Sequence, residues 1–249
     1  MTYSEKDFRM VQLISGSLRV YYRNIISFTL ISALAWTPNL WQLFVQPPWQ
    51  GETLESGDFE LWVLNILMMI AVNAFLAAII VHASFQDINV FKINWRHSIG
   101  RVVYIMPKLL AVMFFHLPII VCQIFYTLGL LFYALFLAIP SLYLVTRWYI
   151  AVSSCVIEDV GPLRSLTRSR DLTKGLRWKI FLLILGFLIL RNGFGEIVDN
   201  AAIAWGMWGQ VVAALLWEGV IGAFEAVSAT VIYYRLRVGE EGATVAAFD

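Results

Sequence analysis

Two acids and two bases stand inside apolar stretches of this sequence, where a charge needs a chemical reason. Glu218 and Glu225 are seven residues apart, which places them on one face of an α-helix. An ionised acid at the middle of a bilayer costs about 2.5 kcal/mol or more, so both carboxylates should face protein or water. At ~1.5 Å per helical residue, Arg147 is predicted near the depth of Glu225, and Arg191 near that of Glu218.

Two kinds of chemistry suit these four charges. We favour two ion pairs between helices, Arg147 with Glu225 and Arg191 with Glu218, which would hold the last span against the two spans before it. The alternative is a proton or cation path through the two glutamates, for which the neighbouring spans supply further polar groups. These are Asn73, His116 and Gln123.

A second group of polar residues fills the basic stretch from Glu158 to Trp178. Pro162 suits the first turn of a helix and Gly175 suits its end, so we predict a helix of about 12 residues lying on the membrane surface. Near an anionic membrane each base contributes about 1 kcal/mol to binding. The stretch therefore predicts contacts with lipid headgroups; the alternative is that cytoplasmic loops are simply basic. The candidate residues are Ser165, Arg168, Ser169, Arg170, Lys174 and Arg177.

The sequence carries no motif for catalysis or cofactor binding. It lacks a glycine-rich phosphate loop, an HExxH helix, a Gly-x-Ser-x-Gly elbow and paired acids with a histidine in one loop. Cys122 and Cys155 lie in apolar surroundings without metal-ligand spacing, which indicates packing residues. We therefore predict a protein that is not an enzyme and that holds neither a metal nor a cofactor. The many Trp and Tyr residues favour interfacial belts over nucleic-acid binding.

The amino-acid composition indicates the kind of structure that holds these residues in place. Apolar residues make up 60% of the 249 positions and charged residues 14%, against roughly a quarter in soluble domains. A bilayer about 30 Å thick accommodates such a chain as helices of about 20 residues. The sequence therefore predicts an all-α integral membrane protein.

We predict one membrane domain, 1–249, with six transmembrane helices. An amphipathic helix begins the chain, and a short basic cytoplasmic helix lies between spans four and five. The 38 residues from Leu109 to Thr146 carry no charge and are long enough for two spans joined by a tight turn. The predicted segments are a cytoplasmic amphipathic region at 1–24, spans at about 25–45, 61–82, 109–126, 130–152, 180–196 and 210–234, and a cytoplasmic tail at 235–249.

The distribution of charge predicts the orientation in the membrane. Sixteen of the eighteen Lys and Arg residues fall in the N-terminal segment, in 83–108, in 158–179 or in the tail. Segments predicted on the opposite side hold six acids and, apart from Arg191, no base. By the positive-inside rule both termini should be cytoplasmic.

The basic stretch also resembles a known family. Its pattern is similar to the YciC-like inner-membrane proteins of bacteria and to the membrane domain attached to some glycerophosphodiester phosphodiesterases. The C-terminal Tyr233-Tyr234-Arg235-Leu236-Arg237, followed by Glu241-Gly242, resembles the ending of the same group. The matching residues in and before the stretch are Trp148, Glu158, Gly161, Pro162, Leu166, Arg168, Ser169, Leu172, Thr173, Gly175 and Trp178.

The resemblance implies a six-helix bundle in the bacterial inner membrane, associated in places with envelope or phospholipid metabolism. It does not imply phosphodiesterase activity, because the separate catalytic domain with its metal-binding acids and histidines is absent from this sequence. We therefore expect an accessory or structural subunit of a larger membrane complex, with anionic lipids and membrane proteins as partners. The alternatives are a transporter or channel subunit that uses Glu218 and Glu225, and a protein associated with lipid metabolism.

Overall fold

The computed structural model describes residues 10–40, 56–90, 92–114 and 131–241. These residues form helices and short connections, and no β-strand occurs among them. A 3-10 turn at Thr37–Leu40, a π-helical turn at Leu190–Phe194 and a 3-10 turn at Ile203–Trp205 complete the helical elements. The α-helices are α1 Met10–Arg23, α2 Ile25–Trp36, α3 Ser56–Val90, α4 Trp95–Phe114, α5 Leu131–Trp148, α6 Ala151–Glu158, α7 Pro162–Leu172, α8 Arg177–Ile189, α9 Gly195–Ala202 and α10 Gly206–Glu241.

Three helical stretches are long and apolar enough to cross a membrane. They cover Leu64–Val90, Phe136–Glu158 and Arg177–Val238. The third stretch contains a change of direction at Gly206, whose φ of +71° a residue with a side chain rarely adopts. Because α9 and α10 contact each other on either side of this glycine, the stretch folds back on itself. The described residues thus have the helical class and the apolar lengths of an integral membrane protein.

The centre of the fold is the contact of α2 with α10 and α3. Phe28 of α2 is fully buried, and its ring meets Trp95 edge to face at 6.1 Å. A Cβ atom at Gly219 of α10 would lie 2.8 Å from the carbonyl oxygen of Thr29, so the missing side chain allows the two helices to approach closely. Asn73 of α3 donates its side-chain amide to the carbonyl oxygen of Ala35 at 3.0 Å.

Residues 83–90 and 95–108 are helical, whereas the sequence predicts a polar loop over 83–108. Helix α3 continues to Val90, and α4 begins at Trp95, well before the predicted start of the third span at residue 109. One face of α4 is fully buried at a spacing of three and four residues, which is the pattern of an amphipathic helix. The buried residues are Ser98, Val102, Ile105, Leu109 and Val112.

Helix α7 lies within the basic stretch, where the sequence predicts a short helix. Pro162 occupies its first turn, and Gly175 follows its end with a φ of +85°. Proline suits the first turn because the amide hydrogen that it lacks would have no partner there, and glycine adopts a positive φ without a steric cost. Leu166 and Leu172 are buried, so α7 packs one face against the bundle.

Two of the six predicted spans each correspond to a single helix with different ends. The second and sixth spans, predicted at 61–82 and 210–234, correspond to α3 and α10, which are longer at both ends. Asp58 and Glu60, predicted in a loop, lie within α3. The predicted end of the first span at 41–45 and the predicted hairpin turn near residues 127–129 lie outside the described residues, as do Glu52, Glu55, His116, Pro118, Cys122 and Gln123.

Candidate functional site

Glu158 is the centre of a charged cluster at the end of α6. Its Oε1 atom accepts a hydrogen bond from the hydroxyl of Tyr233 at 2.5 Å and another from Nε of Arg168 at 3.2 Å. Nη1 of Arg237 lies 3.8 Å from the same oxygen. The Glu158 side chain is only 14% exposed, so these partners compensate a carboxylate that water reaches poorly.

Asp159 extends this cluster on the next residue. Nζ of Lys108 donates to its Oδ1 at 2.8 Å, and Nη1 of Arg101 lies 3.4 Å from its Oδ2. The hydrogen bond from Lys108 lowers the pKa of Asp159, and the same bond raises the pKa of Lys108. The backbone of Asp159 has a φ of +57°, a left-handed conformation that aspartate tolerates better than most residues.

We call Glu158, Asp159 and their five partners the α6 carboxylate cluster. Its members come from α4, α7 and α10 as well as from the end of α6. Four members belong to the two separate motifs that carry the family resemblance: Glu158 and Arg168 to the basic stretch, and Tyr233 and Arg237 to the C-terminal ending. The structure therefore gives these distant motif residues one shared contact, the carboxylate of Glu158.

The headgroup candidates on α7 divide between its buried and its exposed face. Ser165 and Ser169 are fully buried, and their hydroxyls donate to the carbonyl oxygens of Pro162 at 2.7 Å and of Arg147 at 3.0 Å. Arg168 is paired with Glu158. Fewer of the predicted residues can therefore reach a lipid headgroup from the surface, because helical spacing turns Ser165 and Ser169 towards the bundle.

The exposed face of α7 and the start of α8 form what we call the basic surface. It combines cations with large apolar side chains: Leu163 is 70% exposed and Trp178 is 69% exposed. Nε of Arg170 lies 3.1 Å from Oδ1 of its neighbour Asp171. Arg177, the remaining candidate, is half-buried beside this surface. The basic surface consists of Leu163, Arg164, Arg170, Lys174 and Trp178.

The charges predicted inside the membrane form one cluster instead of two pairs. Nε of Arg191 lies 3.2 Å from Oε2 of Glu218, and Nη2 of Arg191 donates to Oε2 of Glu225 at 3.2 Å. The predicted contact between Arg191 and Glu218 is present, whereas the predicted pair of Arg147 with Glu225 is not formed among the described residues. Arg191 contacts both acids because its guanidinium group lies between them and reaches each with a different nitrogen.

Arg147 instead lies at the end of α5 and forms no ion pair with Glu225 among the described residues. Its Cζ atom is 5.6 Å from the centre of the Tyr143 ring, and its Nε atom is buried without a hydrogen-bond acceptor. Its backbone carbonyl accepts hydrogen bonds from Ser169 and Thr173. Arg147 thus connects α5 to α7 through its backbone.

An apolar groove of about 600 Å³ lies along α9 and α10. Its lining includes Trp205, Trp208, Leu216 and Trp217. The indole Nε1 of Trp217 donates to the carbonyl oxygen of Arg191 at 3.3 Å, so one end of the groove adjoins the Arg191 cluster. Sequence reasoning placed tryptophans of this region at the membrane interface and did not predict a groove.

Further polar groups lie outside these clusters: Nδ1 of His82 lies 3.0 Å from the hydroxyl oxygen of Ser98, and Nε2 of Gln86 lies 3.1 Å from Nδ1 of His97. Cys155 is buried with its thiol free, as expected for a packing residue. Within the part of the chain that the structure describes, no three His, Cys, Asp or Glu residues lie close enough to hold a metal ion. Arg23, at the end of α1, is paired with Asp87 near the end of α3. Comparison of the chain with protein-family models, with curated proteins and with solved structures found no match.

Proposed function

We propose that this chain is an accessory or structural subunit of a bacterial inner-membrane complex, anchored by six transmembrane helices and in contact with anionic lipids through its basic surface. It performs no catalysis of its own. The resemblance of the basic stretch to YciC-like proteins predicts the same cellular location. Both termini lie in the cytoplasm in this proposal.

Contacts among the basic segments support the proposed orientation. Nη2 of Arg235, near the end of α10, donates to the carbonyl oxygen of Gln12 in α1 at 3.0 Å. Arg23 joins the end of α1 to the end of α3 through Asp87. The α6 carboxylate cluster joins α4 and α7 to α10. Because all four basic segments are connected in this way, they can face one side of a membrane, as the positive-inside rule requires.

The observation that best supports this proposal is that one face of α7 packs against the bundle and the other face is exposed and basic. Its buried face holds the bundle together through Ser169, Leu172 and Thr173. Its exposed face offers Arg164, Arg170 and Lys174 beside an exposed leucine and tryptophan. Cations next to apolar side chains suit the boundary between headgroups and acyl chains, where arginine and lysine attract anionic lipids.

The test is mass spectrometry of the tagged, full-length protein after gentle extraction from its own membranes, recording both co-purifying proteins and retained lipids. A variant with Arg164→Gln, Arg170→Gln and Lys174→Gln removes the cations of the basic surface. The matched control removes three exposed cations elsewhere, with Arg19→Gln, Lys92→Gln and Arg96→Gln.

We expect a protein partner at constant ratio and an enriched anionic lipid. Three cations at about 1 kcal/mol each predict a fall in the retained anionic lipid of about tenfold or more in the surface variant and a smaller fall in the control. Equal retention in both variants would reject the lipid part of the proposal. Recovery of the chain without any stoichiometric protein would reject the accessory role.

One observation favours a second function, transport of a solute or ion. Arg191 contacts both Glu218 and Glu225, and the apolar groove adjoins this cluster. Two carboxylates close together within a span suit a proton or cation path. Reconstituted protein would then show a proton or cation flux that Glu218→Gln and Glu225→Gln abolish, whereas Glu196→Gln, at an exposed position of α9, retains it.

A further inference from the structure

Helix α5 presents a row of large, mostly apolar side chains at its surface. They recur at intervals of four, three and four residues, which places them on one face of the helix. Each is more than half exposed, whereas Ser141, on another side of α5, is buried. An exposed apolar row is ordinary in a membrane, where acyl chains cover it, so only polar features beside it can identify a partner. The row, which we call the α5 face, is about 16 Å long. It consists of Phe132, Phe136, Ile139 and Tyr143.

Arg147 extends the α5 face by one helical turn. It follows Tyr143 by four residues, and its Cζ atom lies 5.6 Å from the centre of the Tyr143 ring, so the guanidinium group lies at the end of the face. Within the part of the chain that the structure describes, no carboxylate contacts this group, and its Nε atom is buried without an acceptor. Arg147 belongs to an apolar stretch long enough to cross a membrane. A charge in such a stretch calls for an opposite charge.

Pro140 adds a second polar feature to the α5 face. It lies inside α5 at an exposed position, between Ile139 and the next turn of the row. Because proline lacks an amide hydrogen, the carbonyl oxygen of Phe136 cannot receive the hydrogen bond that residue 140 of a helix normally donates. Acyl chains hold no donor, and a backbone group without a partner is costly in hydrocarbon. The α5 face therefore calls for a hydrogen-bond donor about 16 Å from Arg147 along the helix.

We propose that the α5 face binds a transmembrane helix of a second protein, which carries a carboxylate opposite Arg147 and a hydroxyl or amide donor opposite Phe136. This rests on the proposed accessory role and names its docking surface. Side chains at these intervals line the seam where one helix packs along another. A lipid meets only one of the two requirements, since its phosphate stays with the headgroups and its tails hold no donor. A second copy docked through the same face would bring two Arg147 side chains to one depth, and like charges repel.

Photo-crosslinking of the full-length chain in its own membranes tests which molecule covers the α5 face. A photoreactive phenylalanine analogue replaces Phe136 or Ile139 and, as the matched control, Leu67, an exposed apolar residue of α3. We expect both positions of the face, and not the control, to crosslink one protein. Mapping of the crosslinked peptide should place it in an apolar segment with an Asp or Glu near one end. Crosslinks to a second copy of this chain, to lipid alone, or equally from Leu67 overturn the proposal.

Charge exchange tests the carboxylate of the partner. Arg147→Gln should lower the crosslinked partner per chain by about tenfold or more, because the carboxylate loses its counter-ion inside the membrane. Arg147→Glu should lower it further, and replacing the mapped acid of the partner by arginine should restore it. Arg147→Lys keeps the charge and should retain most of the crosslinking. All three variants keep the backbone carbonyl that accepts from Ser169 and Thr173, so α7 stays attached. Unchanged crosslinking in the Gln and Glu variants, or no recovery on charge exchange, overturns the proposal.

Co-purification from the same cells separates the docking face from the proposed accessory role. The control Arg96→Gln removes an exposed cation of α4 and should leave both crosslinking and co-purification unchanged, since exposed charges contribute little. If a protein co-purifies at constant ratio but does not crosslink to the α5 face, the docking face fails and the accessory role stands. If no protein co-purifies, both fail.

Discussion

The α6 carboxylate cluster and the Arg191 cluster both contain acids and cations, but cations outnumber acids in the first and acids outnumber cations in the second. In the first, two acids meet four cations and a tyrosine that come from three other helices. In the second, two acids of α10 share the one arginine of the adjoining π-helical turn. The side chain of Glu158 is 14% exposed, whereas that of Glu225 is 36% exposed.

The difference indicates different roles. A poorly solvated carboxylate with several partners is costly to disturb, because removing it takes an ion-pair partner from several cations at once. Where two carboxylates contact one cation, either of them can be removed with less loss, since the other still contacts the cation. We therefore expect the first cluster to contribute more to the stability of the fold than the second.

Glu158→Gln should have the largest effect on stability. Arg168 and Arg237 lose their common ion-pair partner, and breaking a poorly solvated pair costs about 3–5 kcal/mol. The measurement is the apparent free energy of unfolding during titration with a denaturing detergent. Glu196→Gln, an exposed glutamate of α9, is the control and should change it by less than about 0.5 kcal/mol. Equal values for both variants would contradict the structural role of the cluster.

Glu218→Gln and Glu225→Gln should be mild alone and severe together. Each single variant leaves Arg191 with one carboxylate, so we expect a loss below about 1 kcal/mol. The double variant leaves the arginine without either acid in an apolar stretch and should lose about 2 kcal/mol more than the sum of the single losses. The same detergent titration measures all three. Additive losses would show that the two acids do not share the arginine.

The smallest effect concerns the response to acid at Asp159. Its pKa is lowered by the hydrogen bond from Lys108, so the ionised form contributes its full stabilisation at pH values above the ordinary pKa of a carboxyl group. This stabilisation is lost as the pH falls through the lowered pKa. Asp159→Asn keeps a residue that tolerates the left-handed backbone. In this variant the thermal midpoint should depend less on pH below about pH 5 than it does in the original protein. Added salt should reduce the difference between the variant and the original protein, because the ion pair of Lys108 and Asp159 is about a third exposed.

Local signals in the sequence predicted parts of the fold correctly. Pro162 and Gly175 mark the start of α7 and the turn after it, because each residue has a backbone requirement that does not depend on the rest of the chain. The seven-residue spacing of Glu218 and Glu225 predicted that both acids lie on one helix face, and Arg191 contacts both. Long apolar lengths predicted the helical class and the approximate positions of α3 and α10.

Contacts between distant residues could not be predicted in the same way. Counting residues gives the depth of Arg147 but not the direction in which its side chain leaves α5, so Glu225 was assigned to the wrong arginine. Asp159 meets Lys108 and Arg101, which precede it by about fifty residues, and only the packing of α4 brings them there. The apolar spacing of α4 does not by itself predict its buried face, because charged residues lie beside the apolar ones in the sequence.

The close approach of α2 and α10 at Gly219 has a consequence for biosynthesis. About 170 residues separate the end of α2 from the start of α10, which at roughly 5–20 residues per second means a delay on the order of ten seconds or more. During that interval α2 lacks its main packing partner. A ribosome that stops early would therefore release a chain whose first apolar helix is unpaired, and proteases could distinguish it from the finished protein by that feature alone.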